Sequence, residues 1–130
     1  MHELRITTRG TFEFVDVTDL VQAEIRRAGI QDGVCLVYCP HTTAGITVNE
    51  AADPSVAADL QDALDRIVSH DGQWRHLEGN SPAHVKATIV GASAQLLVRG
   101  GQLALGRWQG VFFCEFDGPR ERTMWVQVLA

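Results

Sequence analysis

Short segments of alternating apolar and polar residues recur along this chain of 130 residues, and they predict a fold built mainly from β-strands. Near the N-terminus, two alternating segments flank Arg9-Gly10, which predicts a hairpin. Residues 34–39 are apolar on both faces, as in a buried central strand, and residues 45–50 alternate again. Glycine-rich turns separate the later segments. The predicted strands cover residues 4–8, 11–15, 34–39, 45–50, 94–99, 102–105, 111–116 and 123–129.

Three other segments repeat their apolar residues at helical spacing. The first covers about residues 18–28. The second begins at Pro54, directly after Asp53, whose side chain can cap the free amides of the first turn. The third begins at Pro82, directly after Ser81, which we expect to act as its cap.

The connections between the predicted elements decide the fold class. Strands joined mostly by turns favour antiparallel pairing, so we expect an α+β protein. Its antiparallel sheets should pack together as in a β-sandwich, with about three helices on the outside, and residues 1–130 should form a single domain. An apolar fraction of 45% and a charged fraction of 21% are ordinary for a globular protein and agree with this expectation.

The net charge argues against some classes of binding partner, and the cysteine content indicates the cellular compartment. The net charge of −5 repels phosphate backbones and anionic lipid, so we expect neither a nucleic-acid nor a membrane partner. The N-terminal residues lack the apolar core of a secretory signal. Cys35, Cys39 and Cys114 are odd in number and lie in apolar runs, which predicts buried, reduced thiols in a cytoplasmic protein.

Two polar residues stand at the ends of predicted strands. His41 opens a loop after the buried strand, and the ordinary pKa of histidine suits it to proton transfer or to metal ligation. The alternative is a histidine that only caps the strand end by a hydrogen bond. Glu50 closes the next strand on the same face as Ile46 and Val48. A carboxylate there needs a partner, a metal or exposure at the strand end.

The densest group of chemically active residues lies in and after the polar segment 71–81, which contains His76, Glu78 and Asn80. Connections of this length are often functional. His84 follows in the first turn of the third helix, whose free amides could hold an anion such as a phosphate. Two histidines and a carboxylate are suitable zinc ligands, although their spacing matches no strong zinc motif.

Glu115 is an ionisable residue within the apolar segment 111–116. A charge there needs a partner, and a buried glutamate with a raised pKa is a common general acid or base. The alternative is an exposed strand face. Trp108 and Gln109, just before this segment, could stack on a flat ring and hydrogen-bond to it, although Trp108 suits a core or an interface equally well.

Several short motifs occur in a fixed order along nearly the whole chain. They are His41-Thr42-Thr43-Ala44-Gly45, Asn49-Glu50, Asp53-Pro54, Trp74-Arg75-His76, Glu78-Gly79-Asn80-Ser81, Ala83-His84, Gly106-Arg107-Trp108-Gln109-Gly110 and Glu115-Phe116-Asp117-Gly118-Pro119-Arg120. Each motif is weak alone, but together and in this order they resemble the YjbQ family, also called the secondary thiamine-phosphate synthase family.

The resemblance implies a β-sandwich-like α+β domain that assembles as a homotrimer, with sites at or near the subunit boundaries. It also implies a weak ability to join hydroxymethylpyrimidine pyrophosphate to thiazole phosphate, giving thiamine monophosphate. Pro82 stands where many relatives have an acidic or small residue, which removes one carboxylate that could bind a metal.

The predicted reaction releases pyrophosphate, so it needs positive groups or helix N-termini at the departing oxygens and a surface for ring stacking. The sequence has no aspartate-rich metal motif and no glycine-rich phosphate loop. Two alternatives therefore stay open: a non-catalytic module that binds a metabolite or metal at a trimer interface, and a metal-dependent hydrolase with Glu115 as base. We expect a divalent metal, zinc or magnesium, as cofactor.

The predicted site residues fall into three groups. They are His41, Glu50, Asn80, His84 and Glu115 for catalysis; Thr42, Thr43, Ser81, Trp108, Gln109 and Arg120 for substrate binding; and His41, His76 and His84 for metal. Because unpartnered polar groups are rare in folded proteins, we further predict that His41 and His84 face one cavity, with Glu50 or Glu115 within reach.

Overall fold

The computed structural model describes residues 1–130 and contains eight β-strands and three α-helices, with all strand pairs antiparallel. The predicted α+β class with packed antiparallel sheets is confirmed. In chain order the elements are β1 (His2–Thr7), β2 (Glu13–Asp16), α1 (Thr18–Ala28), β3 (Gly33–Tyr38), β4 (Ala44–Glu50), α2 (Pro54–Ile67), α3 (Ser81–Val90), β5 (Ser93–Arg99), β6 (Gln102–Leu103), β7 (Gln109–Glu115) and β8 (Glu121–Leu129).

The strands form two sheets. A five-stranded sheet has the order β1-β8-β3-β5-β6, and a three-stranded sheet has the order β2-β7-β4. The predicted hairpin around Arg9-Gly10 is wrong, because β1 pairs with β8 and β2 pairs with β7 in the other sheet. The strands β7 and β8 also follow each other in the chain but lie in different sheets, so the turn between them crosses from one sheet to the other. This crossing places the end of β7 and the start of β8 together at one edge of the fold.

The main hydrophobic core contains residues of both sheets and of α1. Ile46 and Phe113 from the three-stranded sheet, Met124 from the five-stranded sheet and Ile25 from α1 are all buried in one cluster. The three cysteines are buried and free, as their apolar context predicts. None of the three helices has the length and apolar character that a membrane span requires.

The starts of α2 and α3 differ in how they are capped. Asp53 accepts a hydrogen bond from the Ser55 amide at 3.0 Å, so its predicted capping role is confirmed. In α3 the prediction is wrong, because Ser81 is already helical and Asn80 holds the cap position without a side-chain cap. Ser81 therefore begins the helix instead of capping it.

Backbone hydrogen bonds fix the end of α3 against the segment that joins β3 to β4. The Gly91 carbonyl accepts from the Ile46 amide at 3.0 Å, and the Ala92 carbonyl accepts from the Cys39 amide at 2.7 Å. A side chain at Gly45 would place its Cβ only 2.6 Å from the Gly91 oxygen, so this close approach requires glycine. The helix and the β3–β4 connection are thus held side by side.

Candidate functional site

A polar cavity of about 450 Å³ lies where the β3–β4 connection, the start of α3 and the β7–β8 turn meet. Its volume is in the range of small-molecule sites. Apart from a single proline, its lining consists of imidazole, hydroxyl, amide, carboxylate and guanidinium groups. The lining residues are Pro40, His41, Thr42, Thr43, His76, Glu78, Asn80, His84, Asp117, Arg120 and Arg122.

His41 is fixed in one tautomer by the backbone of β8. Its Nε2 atom accepts a hydrogen bond from the Thr123 amide at 2.9 Å. An accepting nitrogen carries no proton, so the neutral ring holds its proton on Nδ1. Burial, reinforced by the positive charge of Arg122, lowers the pKa of His41 below its ordinary value of 6.5. His41 is therefore a neutral hydrogen-bond donor through Nδ1 at neutral pH.

A buried ion pair joins the two sheets behind the polar cavity. Glu115 at the end of β7 is fully buried, and Arg122 near the start of β8 is 4% exposed. The Arg122 Nε atom donates to Glu115 Oε1 at 2.8 Å, and its Nη2 atom donates to Glu115 Oε2. Thr8 and the Asp117 amide donate to the same carboxylate at 2.7 and 3.1 Å. All four hydrogen bonds favour the ionised form of the glutamate.

These contacts reverse the predicted ionisation of Glu115. Burial alone would raise the pKa of its carboxyl, but the hydrogen bonds from Arg122, Thr8 and the Asp117 amide outweigh burial and lower the pKa. The prediction of a raised pKa is wrong, because the carboxylate has a permanent cationic partner. Glu115 does not line the polar cavity, but it contacts two residues that do, Arg122 and Asp117.

Arg122 presents one free nitrogen to the polar cavity. Its Nη2 atom donates to the Thr43 hydroxyl at 2.8 Å as well as to Glu115, and its Nε atom is bound by Glu115. The Nη1 atom makes no hydrogen bond within the protein, while the residue lines the cavity. The guanidinium is thus held rigidly on one side and open to a ligand on the other.

Asp117 links the segment before α3 to the β7–β8 turn. Its Oδ2 atom accepts from Asn80 Nδ2 at 2.9 Å and from Arg120 Nη2 at 3.1 Å. The Asn80 Oδ1 atom is buried without a partner in the protein, which is uncommon. Arg120 is half exposed, so its guanidinium is positioned by Asp117 and still accessible from the cavity.

The three predicted metal ligands do not form a metal-binding group. The rings of His76 and His84 meet edge-on with their centroids 5.3 Å apart, and His76 Nε2 lies 3.8 Å from a carboxylate oxygen of Glu78. Nε2 of His41 is occupied by its hydrogen bond to β8. No group of three His, Cys, Asp or Glu side chains is arranged to hold an ion. Within one chain these residues are not arranged as a metal site, and the predicted divalent metal stays a prediction.

Residues 2–130 match the family model described as UPF0047 protein YjbQ-like. The chain belongs to this family. It is 47% identical over 127 residues to the UPF0047 protein YugU of Bacillus subtilis (strain 168), and the match covers 97% of this chain and 96% of that protein. The resemblance found in the motifs is thereby confirmed.

Solved structures of the family have the same fold. The crystal structure of an uncharacterized YjbQ/UPF0047 family protein from Clostridium acetobutylicum has a TM-score of 0.97 and 45% identity, covering 99% of this chain and 100% of that one. The crystal structure of a conserved hypothetical protein from Thermus thermophilus has a TM-score of 0.93 and 45% identity, again over 99% and 100% of the two chains.

In this YjbQ-like chain, several predicted site residues come together as expected. His41 and His84 line the same cavity, as predicted, but neither Glu50 nor Glu115 lines it. The other predicted residues in its lining are Thr42, Thr43, His76, Asn80 and Arg120. Their chemical roles stay predictions.

Three predicted residues lie at the opposite end of the β4–β7 pair. Ala44 is opposite Glu115 at one end, and Glu50 is opposite Gln109 at the other, six residues and about 20 Å away. Glu50 accepts a hydrogen bond from a backbone amide two residues on, and Trp108 is half exposed, just before β7. Within one chain, Glu50, Trp108 and Gln109 therefore do not join the polar cavity.

The start of α3 is also a poor anion site. Pro82 has no amide proton, and the amides of Ala83 and His84 donate to the Asn80 carbonyl at 3.0 and 3.4 Å. Ser81 does not line the polar cavity. Few free amides support a phosphate at this helix start, and that expectation stays a prediction.

Arg122 and Asp117 are the site residues that sequence reasoning missed. The signal for Arg122 was the need of Glu115 for a buried partner, because a lone charge in an apolar segment requires one. Asp117 lies in one of the motifs that carry the resemblance, but nothing in the sequence pattern distinguishes a turn aspartate from one that positions an arginine.

Proposed function

We propose that the polar cavity binds a phosphorylated small molecule, and that the reaction it supports is formation of thiamine monophosphate from hydroxymethylpyrimidine pyrophosphate and thiazole phosphate. The observation that carries this proposal is the lining of the cavity, which combines two arginines, three histidines and two threonines. Such groups recognise phosphate oxygens through charge-assisted hydrogen bonds. The reaction itself follows from the family resemblance.

Arg122 is the best-positioned phosphate ligand. Its contacts with Glu115 and Thr43 are formed before any ligand arrives, so binding through Nη1 requires no rearrangement. Arg120 adds a second guanidinium, and His41 adds the proton on Nδ1. Each arginine is matched by a carboxylate, so the cavity selects a ligand by directed donors more than by net charge.

The proposed reaction matches the ionisation of these groups. The bond from the pyrimidine methylene carbon to the pyrophosphate oxygen breaks, and the thiazole nitrogen forms the new bond to this carbon with its lone pair. The electron pair of the broken bond leaves with pyrophosphate. No proton is removed from the nitrogen, so the reaction needs no base, in keeping with an ionised Glu115 that is held by Arg122. We assign His84, which lines the polar cavity, as a donor to the departing oxygens.

We expect a divalent cation to bind together with the phosphates of the substrate. Magnesium usually binds proteins through a few ligands together with substrate phosphates and retained water. We therefore expect the rate to depend on magnesium, with no metal retained by the purified protein. Stoichiometric, tightly held zinc would instead favour the metal-binding module or the hydrolase.

We also propose that the protein assembles as a homotrimer, as the family resemblance implies. An exposed apolar surface on the five-stranded sheet supports assembly, because large exposed apolar patches are uncommon on monomers. Leu97 is 67% exposed and Leu129 is 56% exposed on this sheet. Trp108 and Gln109 lie far from the polar cavity of their own chain. They can therefore approach a polar cavity only in a neighbouring copy.

The test is product formation from the two substrates with magnesium present. Replacing His84 with alanine should lower the rate by more than about tenfold, because it removes a donor from the polar cavity. His2→Ala is the matched control, since His2 lies in β1 and does not line this cavity. Absence of product with the unmodified protein would refute the synthase and favour the non-catalytic module.

A further inference from the structure

A second cavity adjoins the polar cavity and has a different lining. Its volume is about 420 Å³, and it shares His41, Thr42 and His84 with the polar cavity. Those two histidines are the only groups in its lining that can carry a charge. We call it the neutral cavity, and its remaining lining residues are Ala44, Ala87, Thr88, Gly91 and Ala92.

We propose that the neutral cavity holds the uncharged organic part of a molecule whose phosphate lies in the polar cavity. This inference rests on the proposed function, because it takes the polar cavity as the phosphate site. Three alanines and a glycine leave room for an uncharged ring or chain, and their side chains offer no donor to a phosphate. Uncharged and charged halves of one ligand are thereby assigned to different cavities.

Hydroxyl groups give the neutral cavity a limited polar specificity. The Thr88 hydroxyl donates to the His84 carbonyl at 3.0 Å, so its proton is committed and its oxygen remains free to accept. Thr42 lines both cavities and offers a second adaptable hydroxyl at their shared boundary. The neutral cavity therefore suits an organic group with a few donors, such as an amino-substituted heterocycle.

The wall of the neutral cavity is preformed. The carbonyls of Gly91 and Ala92 are hydrogen-bonded to amides of β4 and of the residue after β3, as described for the end of α3. A ligand entering this cavity finds its wall already ordered, which lowers the entropy lost on binding.

The residues shared by the two cavities locate the reactive part of the ligand. His41 and His84 line both cavities, so a ligand that fills both must pass beside them. The bond that joins the phosphate to the organic group then lies next to these two histidines. The substrate class assigned by this arrangement is a phosphate or diphosphate ester of a compact, uncharged alcohol.

Two probes separate the cavities in calorimetric titrations of the full chain. Inorganic phosphate fits the polar cavity alone, whereas phenyl phosphate adds an uncharged ring. Phenyl phosphate should bind at least about tenfold more tightly than inorganic phosphate, because its ring buries apolar surface. Ala92→Leu should remove most of this preference, since leucine fills the neutral cavity, and should leave the affinity for inorganic phosphate within about twofold.

Ser93→Leu is the matched control, because it adds similar bulk at the next residue, outside both cavities. It should leave both affinities unchanged. No residue other than glycine has a positive φ, so the backbone at position 92 accepts leucine without strain. Thr88→Leu, on the exposed side of α3, fills the same cavity and replaces Ala92→Leu if that variant fails to fold.

The outcomes distinguish this inference from the proposed function. Equal affinities of the two probes for the unmodified protein, or a retained preference in Ala92→Leu or Thr88→Leu, would overturn the neutral cavity as a ligand site and leave the polar cavity as a phosphate site. If neither probe binds, the polar cavity is not a phosphate site, and the proposed function fails with the inference.

Discussion

Removing the negative charge of Glu115 should destabilise the protein by about 3–5 kcal/mol, because it leaves the charge of Arg122 buried without its partner. Glu115 is fully buried and Arg122 is 4% exposed, so the side of the guanidinium that faces Glu115 is closed to water. Glu115→Gln keeps the size of the side chain but turns an amide group toward a guanidinium that can only donate. Since domains are stable by about 5–15 kcal/mol, this loss would be a large fraction of the total.

Urea unfolding at neutral pH measures this loss directly. Glu121→Gln is the matched control, because Glu121 is 55% exposed and pairs with an arginine that is 83% exposed, at 3.6 Å. An exposed pair of this kind contributes about 0–1 kcal/mol. A loss for Glu115→Gln no larger than that of Glu121→Gln would show that the buried pair does not hold the two sheets together.

The pH dependence of the same measurement has a defined sign. The pKa of Glu115 is lowered from its ordinary value of 4.5 in the folded protein. Its contribution to stability is therefore present above pH 4.5 and is lost as the pH falls through the lower folded value. Because glutamine does not titrate, the difference between Glu115→Gln and the unmodified protein should shrink as the pH falls below 4.5. A difference independent of pH would contradict the assigned charge state.

Three further predictions concern other parts of the chain. Asp65→Asn should destabilise the protein more than Lys86→Met in urea unfolding. Asp65→Asn leaves the ammonium of Lys86, which is 1% exposed, without its carboxylate, whereas Lys86→Met removes the charge and keeps the packing. The reverse order would refute the pairing. Nitrogen NMR should find His41 protonated on Nδ1 and neutral down to a pH below 6.5, and a proton on Nε2 at neutral pH would contradict its hydrogen bond to Thr123. Light scattering should give the mass of three chains, and a stable monomer at micromolar concentration would refute the homotrimer.

Much of the fold could be predicted because local signals agreed with one another. Alternation and turn residues located all eight strands, and Asp53-Pro54 fixed the start of α2. The assignment of strands to sheets could not be predicted, because a turn such as Asp117-Gly118-Pro119 joins neighbouring strands of one sheet or crosses between two sheets equally well. Here it crosses, and that crossing creates the junction behind the polar cavity.

The candidate site was predicted only in part, for a reason that lies in strand geometry. Alternation shows which face of a strand a residue occupies, but a site at a sheet edge depends on which end of the strand it occupies. Glu50 and His41 flank β4 at opposite ends, and the sequence pattern treats them alike. The charge state of Glu115 could not be predicted from the sequence pattern either, because it depends on Arg122, which contacts Glu115 from the other sheet.

The most direct test of the phosphate site is an NMR titration of the unmodified protein with pyrophosphate and magnesium, followed through backbone amides and arginine side chains. We predict that the largest shifts fall on the side chains of Arg120 and Arg122 and on the amides of Thr42 and Thr43, because these residues line the polar cavity. Shifts that are absent there, or that concentrate around Trp108 at the far end of β7, would contradict the phosphate site.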